Sequence, residues 1–241
     1  MSRLLLLGAG GPVAAAAVGM TIRQITPVVT GNTVDTSRTL TFPDAILATG
    51  MIIVCAALGA EGSSGAADSN DIITSITMSG TAVWARAHGV PQSSGLYGTD
   101  VWKASATGAG ATAITVNHLN DIHCSMFAME ITAPGTLATP VSSETYGDSS
   151  PTTGTVSSIP AANGIAILTT YNDPWGHAAT PVFTAPSGYT KQAEYTTDGS
   201  NIPVFCCFTK LTTGSATESA EYSMTNPSAY GQVGSLVVYT I

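Results

Sequence analysis

The chain has 241 residues, of which only 9% are charged, against about a quarter in an ordinary soluble domain. Its net charge is −8 and its 7 Lys and Arg stand apart from one another, which excludes an electrostatic footprint for nucleic acid and disfavours an anionic membrane. A surface that takes its polarity from Ser, Thr, Asn and Gly suits extracellular or virion β-proteins, whose surface is largely covered by neighbouring subunits. The length allows one large β domain or two small ones.

Residues 1–19 form an apolar arm. Leu4, Leu5, Leu6 and Leu7, with Ala14–Ala17 behind them, imitate a secretory signal. Gly8, Gly10, Gly11 and Pro12 interrupt its apolar core and also deny it a continuous helix. The reading is an uncleaved arm whose Arg3–Leu7 stretch packs as a strand on this subunit or a neighbour. That makes Leu4, Leu5, Leu6 and Leu7 the candidate partner-binding residues.

Strand signals then follow one another. Thr21–Thr26 and Arg38–Phe42 alternate polar and apolar residues, and the second stops at Pro43. Met51–Leu58 is a continuous apolar run behind Gly50, too short to span a membrane. It reads as a strand buried on both faces. Beyond a polar loop from Glu61 to Asn70 come Ile72–Met78, Ala82–Ala87, Asp100–Ala106, Ala113–Asn117 and Ile122–Ile131, with Pro134-Gly135 as a break. No window of helical periodicity exceeds about two turns.

The second half repeats this order. Thr155–Ile159 ends at Pro160 as Arg38–Phe42 ends at Pro43, and Gly164–Thr170 answers Gly50–Ala56. Val182–Thr184 answers Ile76–Met78, Pro203–Leu211 answers Asp100–Ala106, and Ser235–Ile241 answers Ser125–Ile131. The offset between partners stays at about 105–115 residues, as a duplication requires. Residues 141–241 alone hold little surplus of large apolar side chains, so an independent core there would be thin. The expected fold is therefore all-β: one jelly-roll-like antiparallel β-sandwich in which two pseudo-repeats interleave their strands, with an extended N-terminal arm, and with two tandem sandwiches as the alternative. Residues 1–35 form the arm and first strand, and residues 36–241 the sandwich, with pseudo-repeats 36–135 and 141–241.

Gly50–Leu58, Trp84, Trp102-Lys103, Thr107-Gly108, Gly188-Tyr189, Phe208-Thr209-Lys210 and Thr213-Gly214 together carry a family likeness. Over residues 36–241 the chain resembles jelly-roll domains of tailed-bacteriophage structural proteins, related in shape to concanavalin A-like lectins. The first copy departs from the pattern in lacking a Gly directly before Trp84. The resemblance implies a virion component, such as a head decoration protein, head fibre or tail-associated adhesin, with capsid or tail proteins as partners and a homo-oligomeric state. It brings no catalytic residues and no cofactor.

Candidate chemistry is sparse. Cys55, Cys124, Cys206 and Cys207 read as free buried thiols, with a Cys55–Cys124 or Cys124–Cys206 cross-link as the alternative. His118 and His123 lie five apart, which is no zinc spacing, and Asp68, Asn70 and Asp71 are explained by turn chemistry without calcium. Glu130, Glu144 and Glu194 are the carboxylates a glycosidase would need to face each other. Nothing resembles G-x-S-x-G, so no enzyme and no metal is expected. The best binding loop is Tyr171–His177, where Tyr171, Asp173, Trp175 and His177 concentrate rings and hydrogen-bonding groups that suit a sugar. The leading expectation is a phage virion structural protein, and the alternative is a carbohydrate-binding adhesin that meets a host surface glycan.

Overall fold

The computed structural model describes residues 19–31, 35–60, 72–80, 82–91, 97–105, 110–119, 122–133, 135–137, 140–145, 156–157, 164–173, 179–196, 202–212, 217–227 and 231–240. The first half supplies β1 (Ile22–Ile25), β2 (Val29–Gly31), β3 (Ser37–Thr41), β4 (Met51–Ala60), β5 (Ile73–Met78), β6 (Trp84–Pro91), β7 (Tyr97–Ser105), β8 (Ala113–His118) and β9 (Ile122–Ile131). The second supplies β10 (Thr136–Leu137), β11 (Val141–Thr145), β12 (Val156–Ser157), β13 (Gly164–Asn172), β14 (Val182–Thr184), β15 (Thr190–Tyr195), β16 (Val204–Thr212), β17 (Thr217–Glu218), β18 (Ser223–Thr225) and β19 (Gln232–Thr240).

The first half forms a large sheet in the order β1-β9-β4-β7-β6, with β2 also on β9, and a small sheet β3-β8-β5. The second half forms β10-β19-β13-β16-β15, with β11 also on β19, and two short pairs, β12-β17 and β14-β18. Counted as eight positions per half, with β1/β2, β10/β11 and β17/β18 each taken as one, both large sheets read first–eighth–third–sixth–fifth. The small sheets read second–seventh–fourth. This is the double-Greek-key order of a jelly roll, with the fifth strand carried on the large sheet. The duplication read from residue spacing is thus a duplication of topology.

Among the described residues no strand of one half pairs with a strand of the other. The expected interleaving is therefore corrected to two stacked sandwiches. Each large sheet turns one face to its own small sheet and the other to the opposite large sheet. Ile52, Val54, Ala56, Leu58, Met126 and Ala128 pack with Leu40, Ile76, Ile114 and Val116 of the first small sheet. Ala166, Leu168, Phe208, Leu236 and Val238 pack with Phe183, Tyr222 and Met224 on the far side. Between the large sheets, Ile53, Cys55, Phe127 and Met129 meet Ile167, Tyr171, Phe205, Val237 and Tyr239. This central layer supplements the thin core of either half, and it explains why β4, β9, β13 and β19 are buried along both faces.

Specific contacts fix the central layer. Phe127 and Phe205 meet edge-on at 5.8 Å between ring centres, and the Tyr97 and Tyr171 rings lie tilted at 6.1 Å. The Lys103 ammonium lies 5.6 Å from the Tyr239 ring centre, and the Ser125 hydroxyl donates to the Pro203 carbonyl at 2.8 Å. Cys55 and Cys207 share this layer as free thiols in contact. Cys124 faces the first outer core and Cys206 the second, so neither anticipated cross-link has its partners on one face.

Gly50 and Gly164 show what the glycine before each central strand does. A Cβ at Gly50 would stand 2.2 Å from the Ile131 carbonyl oxygen, and one at Gly164 would stand 2.4 Å from that of Tyr239. In both halves the third strand starts where the end of the eighth crosses it too closely for any side chain. The fifth strands β6 and β15 each carry a bulge, at Arg86/His88 and Lys191/Ala193, and Pro91 ends β6. A bulge and a proline blunt an open sheet edge.

Candidate functional site

The registers give the stack two unlike ends. Ala60 pairs with Ile122 and Gly59 with Tyr97, so the connections β4–β5, β6–β7 and β8–β9 all leave from one end. Asn172 pairs with Val204 and Gln232, so the matching connections of the second half leave from that same end. Opposite lies the end where Ile22 and Met51 both pair with Ile131 and Ile165 pairs with Tyr239. The described chain starts there at Gly19 and also finishes there, at Thr240. The two are called the loop end and the arm end below.

Among the described residues, three of the four exposed large apolar side chains lie toward the arm end: Leu47 before β4, Val83 before β6 and Leu211 near the close of β16, at 45%, 80% and 54% exposure. A groove of about 400 Å³ opens beside Leu211. Ile22 and Ile165 share its lining with Leu211, and Thr21, Gly188 and Thr209 belong to its walls. Its pseudo-symmetric counterpart, lined by Met51, Lys103, Ser105 and Gly135, holds only about 80 Å³. Ser105 pairs with Met51 as Leu211 pairs with Ile165, so Thr209 occupies the place of Lys103. A short threonine in place of a lysine leaves the larger groove open.

Buried carboxylates are the other chemically notable groups, and each is tied down. Glu130 accepts from Arg23 and Gln24, both at 2.5 Å, and from the Leu47 backbone N–H at 2.8 Å. Asp100 accepts from Arg86 at 2.9 Å and from the Trp102 indole at 2.8 Å, while the guanidinium lies 5.3 Å from the Trp102 ring centre. Burial raises the Asp100 carboxyl to about 6 against the opposing pull of Arg86. Glu218 accepts from Lys210 at 2.9 Å and from the Tyr189 hydroxyl at 3.0 Å. These acids fasten edge strands and loops to the sheets, and both hydrogen bonds to Asp100 fall on its Oδ2.

The residues singled out from sequence separate on the structure. Tyr171 is completely buried in the central layer against Tyr97, so its ring offers no face to a sugar. Burial, and after it the nearby Asp173 carboxylate, hold its hydroxyl protonated. Asp173 is itself buried at the loop end, its backbone N–H donating to the Gly231 carbonyl. Trp175 and His177 lie outside the described residues, as do Leu4–Leu7, Asp68, Asn70, Asp71 and the Glu144 side chain. His118 and His123 stand on different sheets, and among the described residues no three His, Cys, Asp or Glu gather as metal ligands would. His88 is half-buried on β6, and burial lowers its pKa. Glu194 pairs with Lys191 at 2.5 Å on the surface. The groove was missed in the sequence because its walls come from strands about 140–190 residues apart.

No protein-family model matches the chain, and no curated protein matches it. Among solved structures it is similar to a cryo-EM structure of T=3 Penaeus vannamei nodavirus, at 11% identity over 100% of this chain and 97% of that chain, with a TM-score of 0.28. It is also similar to the mavirus major capsid protein, at 9% identity over 100% of this chain and 92% of that chain, with a TM-score of 0.22. Superpositions at this level fall below a common fold, so the jelly-roll assignment rests on the strand order itself.

Proposed function

We propose that this chain is a structural protein of a bacteriophage virion, held on the head or the tail through its apolar N-terminal arm and the arm end of the stack. The observation that carries the reading is the polarity of the body. The exposed apolar side chains Leu47, Val83 and Leu211 gather toward the end from which the arm leaves, as a fastening surface would. A low-charge surface and acids already bonded within the chain fit work done by contact rather than by reaction. The test is composition of purified particles by mass spectrometry. Removing residues 1–18 is expected to leave a folded chain, checked by circular dichroism, that is absent from particles. Normal incorporation of the truncated chain overturns the reading.

A second reading, a carbohydrate-binding adhesin, is supported by the six connections that share the loop end, because binding residues commonly sit on loops held at one end of a sandwich. In that case a host polysaccharide is retained by the wild-type chain and released by Trp175→Ala. Equal retention by both chains, or by neither, removes it.

A further inference from the structure

We infer that the groove between Ile22, Ile165 and Leu211 takes the Leu4–Leu7 segment of a second copy of this chain, so that two copies meet arm end to arm end and exchange arms. The inference deepens the proposed function by making a second copy of this chain the virion partner that the arm end meets, and it rests on that reading only in treating the arm as a fastening.

The groove is open by construction. Gly188 sits at a φ of +79°, which disfavours any side chain there, and Thr209 leaves vacant the space that Lys103 fills in the first repeat. Leu211 stands on its lip at 54% exposure. Thr190, Gln192 and Lys210 complete a mixed lining and Ile165 is itself fully buried, so Ile22 and Leu211 are the apolar surfaces that an occupant covers.

The position of the chain names that occupant. Met20 is buried in the central layer and Thr21 lies on the groove wall, so the preceding residues leave from the rim of the groove itself. Leu7 stands twelve residues before Gly19, a reach of at most about 40 Å. The chain's own arm could cover one groove, but four leucines would leave Val83 and Leu47 bare. A second molecule set end-on covers them as well. Knob and hole both belong to the arm end, which is the condition for a closed two-fold pairing in which each copy gives and receives one arm. Were they at opposite ends, the same contact would build an open filament.

The test is the mass of the full-length chain in solution by sedimentation equilibrium. Wild type is expected to be a dimer. Leu211→Asp and the double variant Leu5→Asp/Leu6→Asp are each expected to weaken it about 10- to 100-fold, from the lost burial of leucine, with the circular dichroism spectrum unchanged. Mixing the two variants is expected to restore part of the dimer, because the intact arm of one meets the intact groove of the other. A monomeric wild type overturns the inference, as does a dimer indifferent to Leu211→Asp or a mixture no more associated than its components. The outcome is separable from the function reading. A chain that dimerises as described yet enters particles without its arm refutes the virion fastening alone. A monomer whose arm is still needed for incorporation refutes the exchange alone.

Discussion

At one register on the sixth strand the first repeat has Asp100 and Trp102, where the second has Cys206 and Phe208. In the first repeat the position is polar: Arg86 on the edge strand β6 clamps Asp100 and lies over Trp102. In the second it is aromatic: Phe208 meets Phe183 and Tyr222 at 6.5 Å each, and those two lie 6.1 Å apart. The outer sheets differ to match. β8 runs unbroken and pairs with both β3 and β5, whereas its counterpart is split into β17 and β18, with Ala220 and Tyr222 buried between them. Where strand continuity is lost, a cluster of rings closes the layer. One topology is thus held by backbone pairing plus an ion pair in one copy and by ring packing in the other.

The comparison breaks most visibly at Phe208. Phe208→Ala is expected to cost about 3–5 kcal/mol in urea unfolding, since no continuous strand backs the rings. A loss below about 1 kcal/mol would mean that the split sheet holds without them.

Asp100 offers the next largest effect, and it belongs to the first repeat alone. Its folded-state pKa of about 6 lies above the ordinary 3.8, so between those values the folded state binds the proton more tightly. Stability therefore falls as pH rises from about 4 to 6, by at most about 3 kcal/mol. Asp100→Asn is expected to remove that slope from melts taken at pH 4 to 7, whatever it does to stability at any single pH. An unchanged slope would place the titration elsewhere.

The smallest effect sharpens the likeness rather than the difference. Gly50→Ala and Gly164→Ala each force a Cβ against a carbonyl of the eighth strand, and each is expected to cost about 1–3 kcal/mol. A large cost at one and none at the other, measured by chemical denaturation, would show that the two crossings are not equivalent.

Much of this was legible in the residues. The run Met51–Leu58 announced a strand buried on both faces, and Ile122–Ile131 announced a strand with an apolar centre. Other features gave no local signal. β15, Thr-Lys-Gln-Ala-Glu-Tyr, is an edge strand with neither clean alternation nor an apolar run. β17 and β18 are too short to carry a period. Tyr171 read as a binding ring because a loop follows it, but its place on a strand directs it into the central layer.

By itself the sequence determined the strand periods and the fact of duplication, because these depend on local patterns and their spacing along the chain. Tertiary structure alone decided that the halves stack instead of interleaving, that Cys55 finds Cys207, that Asp100 is buried beside Arg86, and that a groove opens beside the arm. A strand buried on both faces reads the same whatever covers it. The identity of the cover depends on which distant segments complement its shape, and no local pattern encodes that.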